Sequence, residues 1–238
     1  MFDIPERFKT NLNIKLKDFI PKEMNPKDKK RVRDVTRSVK MSYQIAGEEI
    51  PSLINEDYRC QVIQVYEIEV ANVKEANFIS SLYQGIIKPL CIIRIYDSKE
   101  ETYSFAHKRL SQTEENQIVV DDLYISEKYP YGLPGEGISQ YIECMSFNKI
   151  KNKSDKLALY CEWMYKLYLL EHESNFSETE SLLKSNSWYS AEHAKNIYQK
   201  YVELVHAREC AAKAQVNTDK IKANKEVKNA KISLEKEL

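Results

Sequence analysis

Glu67 and Glu69 are a pair whose type and spacing could do chemistry. They stand two apart in a run of alternating apolar residues, so both face one side of a strand. Asp121 and Asp122 lie on another such run, and His107-Lys108-Arg109 closes a third. Paired carboxylates near a lysine on a mixed sheet are the minimum for metal-dependent phosphodiester cleavage, with Glu67, Glu69 and Lys108 as the acting groups. A core built for that reaction also wants a carboxylate-x-lysine triplet on the adjoining strand, and none stands there. The competing reading is a solvated sheet face crossed by ion pairs.

Other chemistries find less material. The four histidines, His107, His172, His193 and His206, form no HxxxH, HExxH or Cys/His cluster, so no metal is expected. Cys60, Cys91, Cys144, Cys161 and Cys210 are odd in number, lack CxxC spacing and fall partly in apolar runs, which suits buried, reduced thiols. Only five glycines occur, and neither GxGxxG nor GxxxxGK[ST] is among their patterns. Nucleotide phosphates therefore have no glycine-rich cradle, which excludes a P-loop ATPase and a dinucleotide-dependent dehydrogenase; no cofactor is expected. Lys and Arg total 36, as do Asp and Glu, so bulk charge favours neither nucleic acid nor membrane. No run nears the roughly 18 apolar residues of a membrane span. The start, MFDIPERFKT, does not read as a secretory signal, so a cytoplasmic location is expected.

Charge is uneven along the chain. Residues 1–45 hold 12 Lys or Arg against 6 Asp or Glu. Asn25-Pro26 is a helix start, a side-chain cap followed by proline at the first helical position. Val32, Val35 and Val39 follow at helical spacing, and Lys29, Lys30, Arg33, Arg37 and Lys40 occupy the opposite face with Arg31 at its flank. Such a face is either solvated or a phosphate-contacting patch. Aromatic residues beside positive charge, among them Tyr124, Tyr129, Tyr131, Trp188 and Tyr189, can stack bases but serve as often in cores.

The elements that must position these groups fall into three regions: 1–45, 46–137 and 138–238. In the second, Cys60 to Val70 reads as a strand and Lys74 to Ile87 as a helix with one apolar stripe, stopped by Lys88-Pro89. Leu90 to Tyr96, Thr102 to Arg109 and Gln117 to Ser126 read as further strands. Strand–helix–strand implies a parallel crossover, and the short connections that follow imply hairpins. The expectation is an α+β fold: a small mixed sheet of β-α-β-β-β order with a basic N-terminal helix, then an all-helical rear. From Ile138 to Leu238 there is neither glycine nor proline, which favours helix throughout. Leu157, Leu159, Tyr160, Trp163, Met164, Leu167 and Leu170 mark one helix, Ser177 and Glu180 form a capping-box pair, and Ser190 opens a long helix. In the tail, Val216, Ala223, Val227, Ala230 and Leu234 keep a coiled-coil-like 3–4 spacing. A lone helix cannot bury that seam, so it meets its own domain, a copy of itself or another protein.

The strand CQVIQVYEIEV, the helix ending IIKP, the strand LCIIRIY, and SFAHKRLSQ followed by VVDDLYISEKY together resemble domain-of-unknown-function family 4391. The ending QVNTDKIKANKEVKNAKISLEKEL is similar to the helical tail common in that family. The resemblance implies a helper protein of bacteria and archaea, encoded beside helicases and DNA methyltransferases of restriction-like phage-defence systems. It supplies no catalytic residues. The leading expectation is a non-enzymatic accessory subunit. Its tail helix docks on a helicase, nuclease or methyltransferase, or on a second copy. Lys29, Lys30, Arg33, Arg37, Lys40, Lys108 and Arg109 meet DNA or RNA phosphates or an acidic partner. The alternative is the small nuclease using Glu67, Glu69 and Lys108.

Overall fold

A computed structural model describes residues 2–114, 117–131 and 143–238. Gly132, Gly135 and Gly137 of the glycine-bearing loop lie outside the described residues. The chain divides into two compact units: residues 1–149 with 153–160, and residues 150–152 with 161–238.

In the first unit the order is β1 (Lys9–Asn13), α1 (Leu16–Phe19), α2 (Pro26–Val35), β2 (Thr36–Ile45), the short pair β3 (Leu53–Ile54) and β4 (Arg59–Cys60), and β5 (Ile63–Val70). Then come α3 (Ala76–Ile86), β6 (Leu90–Tyr96), β7 (Glu100–Leu110), β8 (Ile118–Ile125) and β9 (Tyr129–Pro130). The main sheet runs β1-β2-β5-β6-β7-β8, with β9 pairing the other end of β7. Among the described residues only β5 and β6 are parallel, joined by α3, and the other pairings of this sheet are antiparallel. The β-α-β-β-β core expected from sequence is present, widened by β1 and β2.

Asn25 caps α2 as its type predicts, accepting from the Asp28 amide at 2.8 Å. The helix then stops at Val35, four residues short of Val39. Thr36 to Ile45 instead form β2, antiparallel to β5 along its length. Val32, Val35 and Val39 fit helical spacing, but β-branched Thr36 and Val39 fit a strand equally, and pairing with β5 decides. Residues 1–45 are therefore part of the sheet rather than a separate segment. Val32 and Val39 still share one core. They pack with Met41, Tyr66, Ile68, Ile79, Tyr83, Ile93 and Ile95 between the sheet and its helices, and Phe19 stacks on Tyr83 at 4.0 Å.

The other sheet face buries Ile63, Val65, Ile92 and Phe105 completely. Phe2 and Tyr160 flank Phe105, with ring centroids at 6.4 and 5.6 Å. Tyr160 lies on α4 (Lys156–Glu171), whose first turns belong to this unit and whose remainder belongs to the second. Lys156 is fully buried, and its ammonium donates to the carbonyls of Gly47 and Ile50. Gly47 makes that turn with φ +82°, a conformation that favours glycine.

The second unit holds the rest of α4, α5 (Thr179–Lys184), α6 (Ala191–Lys213) and α7 (Asn217–Glu235). Ser190 caps α6, accepting from the His193 amide at 3.3 Å. The expected capping box before α5 does not form: the Ser177 hydroxyl donates to Glu178, and the Glu180 side chain pairs with Lys184 one turn on. α7 packs along α6. Lys200 bonds the Glu237 carboxylate at 2.5 Å and Asn196 the same oxygen at 2.9 Å.

Candidate functional site

Strands β6 and β7 pair from Ile93–Ser104 to Tyr96–Glu101 and part company below that point. Parting strands leave backbone groups that must find other partners. Side chains from three elements supply them. Gln84 of α3 donates to the carbonyls of Cys91 and Ser104, both at 3.1 Å. The Tyr160 hydroxyl accepts from the Ala106 amide at 2.7 Å and donates to the Cys91 carbonyl at 3.0 Å. Lys108 donates to the carbonyls of Ile87 and Pro89 at 2.7 and 3.0 Å and to the Cys91 sulfur at 3.3 Å. Beside this divergence lies a cavity of about 470 Å³, within the range of small-molecule sites. Arg59, Lys88, Lys108 and Arg109 line it over an apolar wall of Val62, Leu90 and Ile118, and no carboxylate is among its described lining residues.

Lys108 is thus a buried ammonium with all three protons committed. Two of its acceptors follow the C-terminus of α3, where carbonyls cluster and a cation is favoured. Burial pulls its pKa below the ordinary lysine value. Burial likewise pushes the Cys91 thiol up, against the opposing influence of Lys108. Cys91 therefore stays a neutral thiol, donating to Gln84 at 3.2 Å, and is no activated nucleophile.

The three residues suggested for phosphodiester cleavage do not meet. Tyr66, Ile68 and Val70 face the helices, so Glu67 and Glu69 face the opposite side of the sheet, whereas Lys108 bonds the Cys91 side chain on the helix side. Glu67 stands opposite Lys40 and Arg94 in the strand register and lies 3.7 Å from the Arg94 guanidinium. Glu69 accepts from the Ser38 hydroxyl at 2.9 Å. Arg94 also pairs with Glu101, which takes the Tyr103 hydroxyl at 2.7 Å. Tyr96 and Tyr131 stack at 5.0 Å, and Arg94 packs over both rings. This is the ion-paired sheet face, and Lys40 belongs to it rather than to a helical basic face. Among the described residues no three His, Cys, Asp or Glu side chains gather to hold a metal.

The remaining cations divide. Lys29 donates to the Lys22 carbonyl at 2.6 Å. Arg31 pairs with Glu75 at 2.7 Å and packs over Phe78. Lys30 and Arg33 on α2 and Arg37 at the start of β2 are exposed, and no ion pair among the described residues engages them. Arg109 pairs with Asp121 at 2.9 Å. Sequence reasoning marked Lys108 and Arg109 but missed Arg59 and Lys88. No local signal identifies those two, because β4 and the α3–β6 turn meet only in the folded unit.

The tail seam is occupied within its own unit. Leu234 and Ala223 are buried, Val227 and Ala230 half-buried, and Val216 exposed. The expected partner-binding seam is therefore buried only in part: Ala223 and Leu234 are covered where α7 packs on α6, whereas Val216, just before α7, stays exposed. No helix among the described residues is long and apolar enough to cross a membrane.

The family model for a domain of unknown function, DUF4391, matches residues 2–234 of the chain, which belongs to that family. No curated protein and no solved structure matches the chain.

Proposed function

We propose that this DUF4391 member is a non-enzymatic accessory subunit of a nucleic-acid-processing complex, contacting phosphates through Lys30, Arg33 and Arg37. These three cations are exposed and enter no ion pair among the described residues, and that observation carries the reading. Val32, fully buried, fixes α2 on the sheet, so Lys30 and Arg33 stand on a rigid helix and Arg37 on the strand that follows it. The separation of Glu67 and Glu69 from Lys108 speaks against a nuclease built on those three residues. The partner envisaged is a helicase, nuclease or methyltransferase of a restriction-like defence system.

Binding of duplex DNA and RNA, followed by fluorescence anisotropy across a salt series, tests the proposal. If all three cations neutralise phosphates, the K30E/R33E/R37E variant binds more weakly, with a log–log salt slope about 2.7 shallower. Failure of the parent to bind either nucleic acid at low salt, or an unchanged slope in the variant, refutes it.

A further inference from the structure

We propose that His206 and Cys210 are half of a zinc site, completed by the same two residues of a second copy of the chain. They stand one turn apart on α6, and both are exposed. Leu204, Val205 and Ala207 beside them are buried, so a packed helix holds the pair on its outer face. Their separation is the first argument. The His206 Nε2 lies 3.6 Å from the Cys210 Sγ. A tetrahedral ion bonded to sulfur at about 2.3 Å and to imidazole nitrogen at about 2.05 Å holds those two atoms about 3.6 Å apart. The pair therefore has the bite of such an ion without any change in the helix. In the free chain a thiol proton spans this gap. Zinc takes its place: the S–H proton leaves to solvent and a zinc–sulfur bond forms. Thiolate with neutral imidazole suits a borderline-soft ion such as zinc and not magnesium or calcium, which want oxygen.

The coordination number is the second argument. Two ligands leave a tetrahedral shell half filled, and among the described residues no third His, Cys, Asp or Glu joins them. A two-fold axis through the ion supplies the missing pair and gives a shell of two sulfurs and two nitrogens. The surface nearby suits a second copy. Lys200 of α6 meets Glu237, just past the end of α7, so the two helices run antiparallel. Val216 and Ile221, 58% and 72% exposed, therefore share the end of this hairpin that carries Cys210. Covering them adds apolar burial to the metal bonds.

The full chain, kept reduced and stripped of metal by a chelator, tests this. Titration with cobalt, a coloured stand-in for zinc, should produce a thiolate-to-cobalt charge-transfer band that saturates at one ion for two chains and is displaced by zinc. Light scattering should show the molar mass double with zinc and return on adding EDTA. C210A and H206A, both at exposed positions, should stay folded by circular dichroism. C210A should lose the band, and both variants should lose the zinc-dependent doubling. K30E/R33E/R37E, altered in the other unit, should keep band and doubling, so this site and the phosphate-contacting reading fail separately. Absence of the band, one ion bound per chain with the mass unchanged, or doubling that needs no metal or survives both substitutions overturns the proposal.

Discussion

Replacing Glu162 by glutamine should be among the most damaging isosteric changes in the second unit. Glu162 and Lys166 sit one turn apart on α4, their side chains 1% and 3% exposed, with nitrogen and oxygen 2.5 Å apart. The Glu162 carboxylate also accepts the backbone amides of Lys151 at 3.0 Å and Asn152 at 2.8 Å, pinning residues 150–152 to the helix. The Lys166 ammonium lies 5.4 Å from the Trp188 ring. Glutamine keeps the volume and one acceptor oxygen but removes the negative charge. Breaking one side of a buried pair costs about 3–5 kcal/mol, because the survivor remains desolvated and uncompensated. Adding Lys166→Met should restore most of the loss, since an apolar pair owes no desolvation. Trp163 and Trp188 are both fully buried in this unit, so urea denaturation followed by tryptophan fluorescence reports on it directly. Glu162→Gln within about 1 kcal/mol of the parent, or no recovery on adding Lys166→Met, would refute this account.

Two further outcomes are expected. Leu234 is fully buried, so Leu234→Ala should cost about 2–5 kcal/mol in denaturation of the second unit; a neutral result would mean that the α7 seam does not rest on α6. Burial, with a smaller contribution from Asp155, pushes the Cys60 thiol up to about 12. A raised value means that the neutral thiol's contribution is complete below the unfolded value of about 8.5 and lost as pH climbs through the folded one. Parent stability should fall in that window with a steeper slope than Cys60→Ala, measured by chemical denaturation in alkaline buffers, and equal slopes would count against it.

Much of this fold is decided by neighbours along the chain. Asn25 before Pro26 starts a helix wherever it sits, because a side-chain acceptor and a preset φ act within one turn. The alternation of Cys60 to Val70, the apolar stripe from Phe78 to Ile87 and the stop at Lys88-Pro89 suffice for the β-α-β unit. The absence of glycine and proline after Gly137 suffices for the helical rear. Period alone did not decide residues 36–40: the valine spacing admits helix or strand, and the β5 edge chose strand. With that choice Lys40 passed from a basic helical face to a register position opposite Glu67.

The candidate sites depended on contacts between distant segments. Lys108 looks like a solvent-facing cation in the string HKR, yet it is buried because the end of α3 presents carbonyls to it. The cavity exists because β6 and β7 diverge, and its cations come from β4, the α3–β6 turn and β7. Propensity and periodicity are properties of a few consecutive residues, whereas burial, ion pairing and cavity walls arise from strand register and packing between segments far apart in sequence. The sequence by itself therefore determined which elements form, and the tertiary structure alone decided which charges are spent within the protein and which stay exposed.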